Sequence, residues 1–194
     1  EFMKVLHVYK EYLPESYGGL EQTIFQICRA TANRGFQNRV FTLSKSGSTG
    51  LIHRSEATVC RHTCNMEFAS CGISLPGAAA YTRYVKWADV IQYHFPWPFA
   101  DLLHCLHRVQ KPSLVTYHSD IVRQKRLDFL YSPLKRIFLN SMQRIVATSF
   151  NYVQSSPVLE RYLDKVTVIP FGIDPETYPA PEKGQIKAWQ EQVG

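Results

Sequence analysis

The feature that most constrains this chain is its alternation of short β-branched runs with amphipathic segments. Residues 4–9, 39–43, 57–61, 89–94, 113–118, 144–148 and 165–169 read as strands. Several are continuous apolar runs, as expected of strands buried on both faces. Between the first two, Leu20, Ile24, Ile27, Cys28 and Thr31 recur at helical spacing, and Gly35 stands where a C′ glycine ends a helix. Residues 78–88, 100–108, 131–141 and 151–162 read as further helices, the last with a break at Pro157. Residues 63–76 carry no clear period. Repeated β-α alternation predicts an α/β fold, a Rossmann-like parallel sheet with helices on both faces.

Residues 3–174 account for this pattern and form one domain. From 175 onward Pro175, Pro179 and Pro181 crowd together, and residues 182–193 are polar around a single Trp189, which reads as a linker and a terminal helix. Glu1-Phe2 ahead of Met3 reads as a vector remnant, and from Met3 on there is no signal-peptide pattern. The longest apolar stretches fall well short of the roughly 20 residues that span a bilayer. The five cysteines are odd in number and irregular in spacing, which disfavours a disulfide framework and fits a reducing, cytoplasmic setting. The net charge of +6 permits anionic partners, whereas no nucleic-acid-binding signature is present.

In an open α/β sheet, ligands sit outside the carboxyl ends of the strands. Tyr12 and then Gly18-Gly19 follow the first strand. His94 and Trp97 follow residue 93, His118, Ser119 and Asp120 follow residue 117, and Phe171 to Asp174 follow residue 169. A parallel sheet gathers all of these on one rim. The glycine pair lies between a strand and a helix start, where unpaired N–H groups and the positive end of the helix dipole favour an anion. Glycine there supplies a positive-φ turn or a close approach. Glu21, in the first turn, must point away if an anion is to sit there.

Each feature has a plainer reading. His118 can cap a helix or bond a backbone carbonyl, and His94 beside Pro96 can be structural. Phe95, Trp97 and Phe99 can form a core plug in place of a ligand shelf. The basic run from Arg123 to Arg136 is a solvated face by default, and in the sharper reading a patch that meets phosphates of an acceptor or of a membrane surface. Cys60, His62, Cys64 and Cys71 raise a zinc site but lack paired knuckles. Phosphate-loop, nucleophile-elbow and three-glycine dinucleotide signatures are missing.

Four segments in order resemble the N-terminal half of retaining, family 4-type glycosyltransferases of the GT-B fold. They are Met3 to Val8 leading to Gly18-Gly19-Leu20-Glu21, Asp89 to His94, Thr116-Tyr117-His118-Ser119-Asp120, and Val168-Ile169-Pro170-Phe171-Gly172-Ile173-Asp174. The resemblance implies an acceptor-side domain whose partner, a C-terminal donor-binding domain, is absent from this chain. It implies a nucleotide-sugar donor such as a GDP- or UDP-sugar, a glycan or lipid-linked acceptor, no metal or other cofactor, and transfer with retention of configuration. It places Gly18 and Gly19 against the donor diphosphate and His118 at the transferring sugar. Tyr12, His94, Trp97, Ser119 and Arg123 become the acceptor candidates. The segment Phe95 to Phe99 is similar to bacterial enzymes of surface-polysaccharide assembly, including mannosyl- and rhamnosyltransferases, which act at the inner face of the plasma membrane. A GT-B sugar-nucleotide epimerase would share this fold. A non-catalytic binding domain using the Cys/His cluster or the basic face is the reading from another class.

Overall fold

The computed structural model describes residues 2–120, 125–174 and 183–193. Among these residues, ten strands and six α-helices run in chain order. They are β1 (Lys4–Val8), α1 (Gly19–Ala32), β2 (Gln37–Ser44), β3 (Gly50–His53), β4 (Thr58–Thr63), β5 (Met66–Phe68), β6 (Cys71–Ile73), α2 (Leu75–Trp87), β7 (Val90–Phe95), α3 (Pro98–Leu106), β8 (Ser113–Tyr117), α4 (Lys125–Ser141), β9 (Arg144–Ala147), α5 (Phe150–Ser155), β10 (Val166–Val168) and α6 (Lys183–Val193). A 3₁₀ turn at Leu159–Tyr162 follows the break foreseen at Pro157.

Eight strands form the main sheet in the order β10-β9-β8-β7-β1-β2-β4-β3. Seven run parallel. The expectation of an all-parallel sheet fails at β3, which pairs antiparallel with β4 at the edge. A link of only four residues joins the two strands, too short for a parallel crossover. Residues 63–76, unreadable in sequence, hold a small antiparallel hairpin of β5 and β6.

Period-two alternation divides the sheet into two faces. Leu6 and Val8 join Phe41, Ile91, Tyr93, Val115 and Tyr117 beneath α2, α3, α4 and α5. Val40 and Val59 face the other way and pack with Ile24 and Cys28 of α1. Helices therefore cover both faces, as predicted, but unequally. α1 covers only part of its face.

Local chemistry explains the helix boundaries. Ser74 caps α2 by accepting from the Gly77 N–H at 3.0 Å, and Pro76 sits in that first turn, so the helix starts three residues earlier than its apolar spacing indicated. Pro98 opens α3. Ser149 caps α5 by accepting from the Tyr152 N–H at 3.2 Å. Gly35, past the end of α1, takes φ +85°, a conformation that L side chains rarely adopt.

Candidate functional site on the carboxyl rim

β1, β7 and β8 are parallel neighbours, so their carboxyl ends open on one edge of the sheet. The loop after β1 leads to Gly18, the N-cap of α1, which has no side-chain cap. The first intrahelical bond runs from the Gln22 N–H to the Gly18 carbonyl at 3.0 Å. The N–H groups of Gly19, Leu20 and Glu21 precede it, which is the usual orphan set at a helix start. Gly18 has φ −102° and ψ 175°, ordinary extended backbone, so positive φ is not why a glycine stands there. The reason is space. A Cβ on Gly18 would lie 2.3 Å from Oε2 of Glu21, whereas one on Gly19 would meet nothing within 4 Å.

Glu21 does not turn away from this loop. It is buried, its Oε1 accepts from the Ser16 hydroxyl at 2.6 Å, and its other oxygen lies over Gly18. The carboxylate closes the Gly18 side and offsets the helix dipole. An anion must come in on the Gly19 side.

Three imidazoles line up across the strands beside this loop. Nδ1 of His7 on β1 lies 3.3 Å from Nε2 of His94 on β7. Nδ1 of His94 lies 3.2 Å from Nε2 of His118, just past β8. The ring planes differ by only 23° and 21°, and with centroids 5.6 Å and 5.5 Å apart the rings meet edge to edge, nitrogen to nitrogen. Burial holds His7 and His118 each down to about 4 and pushes His94 down as well, so all three are neutral at neutral pH. Nδ1 of His118 is buried and has no hydrogen-bond partner among the described residues, and Phe171 packs on the outer face of that ring at 5.5 Å.

The loop carrying His118 is held by Asp120, which accepts from Tyr117 Oη at 2.8 Å, Tyr152 Oη at 3.1 Å and Ser156 Oγ at 3.1 Å. The His118 N–H donates to the Phe95 carbonyl at 3.2 Å. Beside the imidazoles, a groove of about 680 Å³ runs between α1 and the part of the sheet that α1 leaves bare. Thr23 and Gln26 line one wall, Gln92 and Thr116 the floor, and Ile169 and Phe171 the far wall. Arg29 of α1 pairs with Asp174 at 3.1 Å, which ties the segment after β10 to that helix.

The predicted rim residues separate accordingly. Gly18, Gly19 and His118 follow strands that open on this edge, and Ser119 is exposed beside His118. His94 is 1% exposed and stands behind His118, so this rim does not open its ring to an acceptor. Tyr12 and Trp97 are corrections. Tyr12 is buried against Cys28 and Val59, its hydroxyl donating to Glu56 at 3.3 Å. Trp97 is 1% exposed, stacks on Phe41 and donates Nε1–H to the Gly72 carbonyl at 3.0 Å. The core-plug reading of the 95–99 segment is the observed one. Arg123 lies outside the described residues, as do the side chains of Lys125 and Arg126. His62 bonds the Tyr84 hydroxyl at 2.9 Å, and among the described residues no three His, Cys, Asp or Glu side chains converge as metal ligands, so Cys60, His62, Cys64 and Cys71 do not form a ligand set. Sequence reading missed His7, and it placed Asp120 and Phe171 on the rim without giving either a role. A histidine in the middle of a buried strand was the available signal for the first.

Comparison with known proteins decides the family. The model of glycosyltransferase family 4 matches residues 17–177, most of the chain. The chain belongs to this glycosyltransferase family. It is 45% identical over 192 residues to the D-rhamnosyltransferase WbpZ of Pseudomonas aeruginosa, covering 99% of this chain and 50% of that protein. It is 44% identical over 192 residues to the O-antigen chain mannosyltransferase C of Escherichia coli, covering 99% of this chain and 52% of that one. The chain thus spans about half the length of the curated relatives it matches. Among solved structures, sucrose-phosphate synthase of Thermosynechococcus elongatus superposes with a TM-score of 0.65 at 17% identity, over 96% of this chain and 52% of that one. Anabaena HepE, in complex with UDP and glucose, gives 0.65 at 16% identity, over 99% and 50%. These neighbours place the fold of this family-4 domain as one half of a GT-B architecture. Among the described residues, no helix is long and apolar enough to cross a membrane.

Proposed function

We propose that this domain is the acceptor-side half of an enzyme that transfers a sugar from a nucleotide-sugar donor to a growing bacterial surface polysaccharide. The names of the two close relatives, a D-rhamnosyltransferase and an O-antigen chain mannosyltransferase, support a rhamnosyl or mannosyl group passed to a glycan chain; the donor in this proposal is a GDP- or UDP-sugar and the acceptor a free or lipid-linked glycan. A second domain, supplied by the other half of the full-length protein, holds most of the donor.

The observation that carries this reading is the meeting of two kinds of group on one rim. The open helix start at Gly19 offers backbone N–H groups to a diphosphate. His118 offers a neutral ring nitrogen with no hydrogen-bond partner among the described residues. When the glycosidic bond to the diphosphate breaks, negative charge grows on the leaving oxygens, and fixed N–H groups stabilise it without reorganising. Backbone donors of this kind supply that stabilisation with no metal ion. A neutral His118 orients the sugar through a hydroxyl and adds no positive charge beside the oxocarbenium-like centre. Transfer proceeds with retention of anomeric configuration. Ser119, exposed beside His118, and Arg123 remain the acceptor contacts of this proposal.

The test is a transfer assay on the full-length protein with GDP- and UDP-sugars and a lipid-linked glycan acceptor. The wild-type protein transfers sugar with retention, His118→Ala lowers the rate by about 100-fold, as loss of an aligned polar group at a reacting centre does, and the 194-residue chain alone is inactive. Transfer by His118→Ala at the wild-type rate would overturn the role of that residue. Conversion of the donor with no acceptor present would identify an epimerase instead.

A further inference from the structure

Behind His118 stand two more buried imidazoles with no role in the reading above. We propose that His7 and His94 are positioning residues: with His118 they form one directed chain of N–H···N bonds, and it leaves Nδ1 of His118 as a bare, buried acceptor next to Phe171, whose ring lines the groove. The inference deepens the proposed function and rests on it only for its kinetic test.

A neutral imidazole has one N–H and one lone pair. Each of the two N···N contacts, at 3.3 Å and 3.2 Å, needs one of each. The rings are therefore coupled. Once one ring chooses its tautomer, the other two must follow, or a buried pair of lone pairs or of N–H groups is left facing itself. Only two arrangements satisfy both contacts, and they point opposite ways.

The inner end selects between them. In the register of β1 with β2, Val5 stands opposite Asn38 and His7 opposite Val40, which sets Asn38 diagonally beside His7 on the same face of the sheet. The Asn38 amide nitrogen donates to the Cys28 carbonyl at 2.8 Å, to Thr31 Oγ1 at 3.0 Å and to the Glu56 carbonyl at 3.2 Å. Turning the amide over would press its oxygen against two carbonyl oxygens, so this orientation is fixed. Its Oδ1 has only Thr31 Oγ1 at 3.3 Å, and that hydroxyl sits closer to the Ile27 carbonyl, at 2.8 Å. Asn38 thus holds an underfilled acceptor on the same face as His7, whose buried Nε2 has no hydrogen bond among the described residues. His7 keeps its proton on Nε2. Its Nδ1 then accepts from Nε2–H of His94, Nδ1 of His94 accepts from Nε2–H of His118, and Nδ1 of His118 carries a lone pair.

That lone pair is the buried, unpartnered atom between His94 and Phe171, beside the groove. It takes a hydrogen bond from a hydroxyl. It does not donate one to a phosphate or to a ring oxygen. The part of the donor that meets His118 is therefore a sugar hydroxyl.

The first experiment needs no variant. Nitrogen-15 NMR of the 194-residue chain reads which ring nitrogens carry protons, and couplings across N–H···N bonds read the pairs. Expected are a proton on Nε2 of His118, none on its Nδ1, and couplings joining His118 to His94 and His94 to His7. A proton on Nδ1 of His118, or absent couplings, overturns the chain. The kinetic test uses the full-length protein. His7→Phe removes the acceptor that holds His94 and lowers kcat about tenfold, the value of one aligned hydrogen bond, with the donor KM unchanged. His7→Asn, whose amide group stands where Nδ1 stood, recovers most of the loss. A wild-type kcat in His7→Phe overturns the positioning role. No transfer by the wild-type protein sinks the proposed function and leaves the NMR result standing.

Discussion

Replacing His7 with phenylalanine should make the domain less sensitive to acid, by an amount that follows from burial. His7 is wholly buried, and burial lowers its pKa from 6.5 to about 4. The unfolded chain binds a proton there below about pH 6.5, and the folded chain does not until about pH 4. The unfolded state therefore holds more protons across that window, so stability rises with pH, is complete above the upper limit and is lost on the way down. Between pH 8 and pH 5 this amounts to about 2 kcal/mol for His7 alone. Other groups titrate as well. His104 and His118 are shifted in the same direction, while burial pushes Asp101 up to about 8, and that carboxyl contributes with the opposite sign. Those of Asp101 and His104, which lie outside the imidazole chain, are common to wild type and variant, so a double difference removes them to a first approximation. The assay is urea denaturation followed by circular dichroism at pH 8 and pH 5. Whatever His7→Phe costs at pH 8, the gap to wild type should shift by about 2 kcal/mol in the variant's favour at pH 5. Equal acid losses in the two proteins would refute a buried, neutral His7.

The glycine pair should separate into two roles. Gly18→Ala forces the Glu21 carboxylate off Ser16 and costs about 1–2 kcal/mol by thermal denaturation; Gly19→Ala meets no protein atom, so it should leave the melting temperature within a few degrees while raising the donor KM of the full-length enzyme. Asp120→Asn cannot accept from three hydroxyls equally well, and should lose about 1–3 kcal/mol of stability together with transfer activity, since it anchors the His118 loop. Trp97→Phe should cost about 1 kcal/mol through the lost bond to Gly72 and leave the acceptor KM unchanged, as befits a core residue.

The parallel core was legible because buried strands carry apolar runs that no surface helix needs, and because Gly35 marks the turn that ends α1, where the chain takes positive φ. What escaped was set by partners remote in sequence. β3 is a four-residue edge strand that stands out only once β4 pairs with it. Tyr12 reads as a rim aromatic until Glu56, 44 residues away, accepts its hydroxyl. Trp97 reads as a shelf until the β6 hairpin supplies the Gly72 carbonyl. The glycine loop was found for a partly mistaken reason: Gly18 is needed for the space under Glu21, not for its backbone freedom. His118 was recognised because it ends a strand. His7 was passed over because it lies inside one, and only the register of β1 with β7 brings it to His94.

The most direct test of the account is a crystal structure of the full-length protein bound to its nucleotide sugar. The account predicts the diphosphate at the N–H groups of Gly19 and Leu20, with a sugar hydroxyl within hydrogen-bond distance of Nδ1 of His118. A donor seated away from the α1 N-terminus, with His118 Nδ1 still facing protein alone, would contradict it.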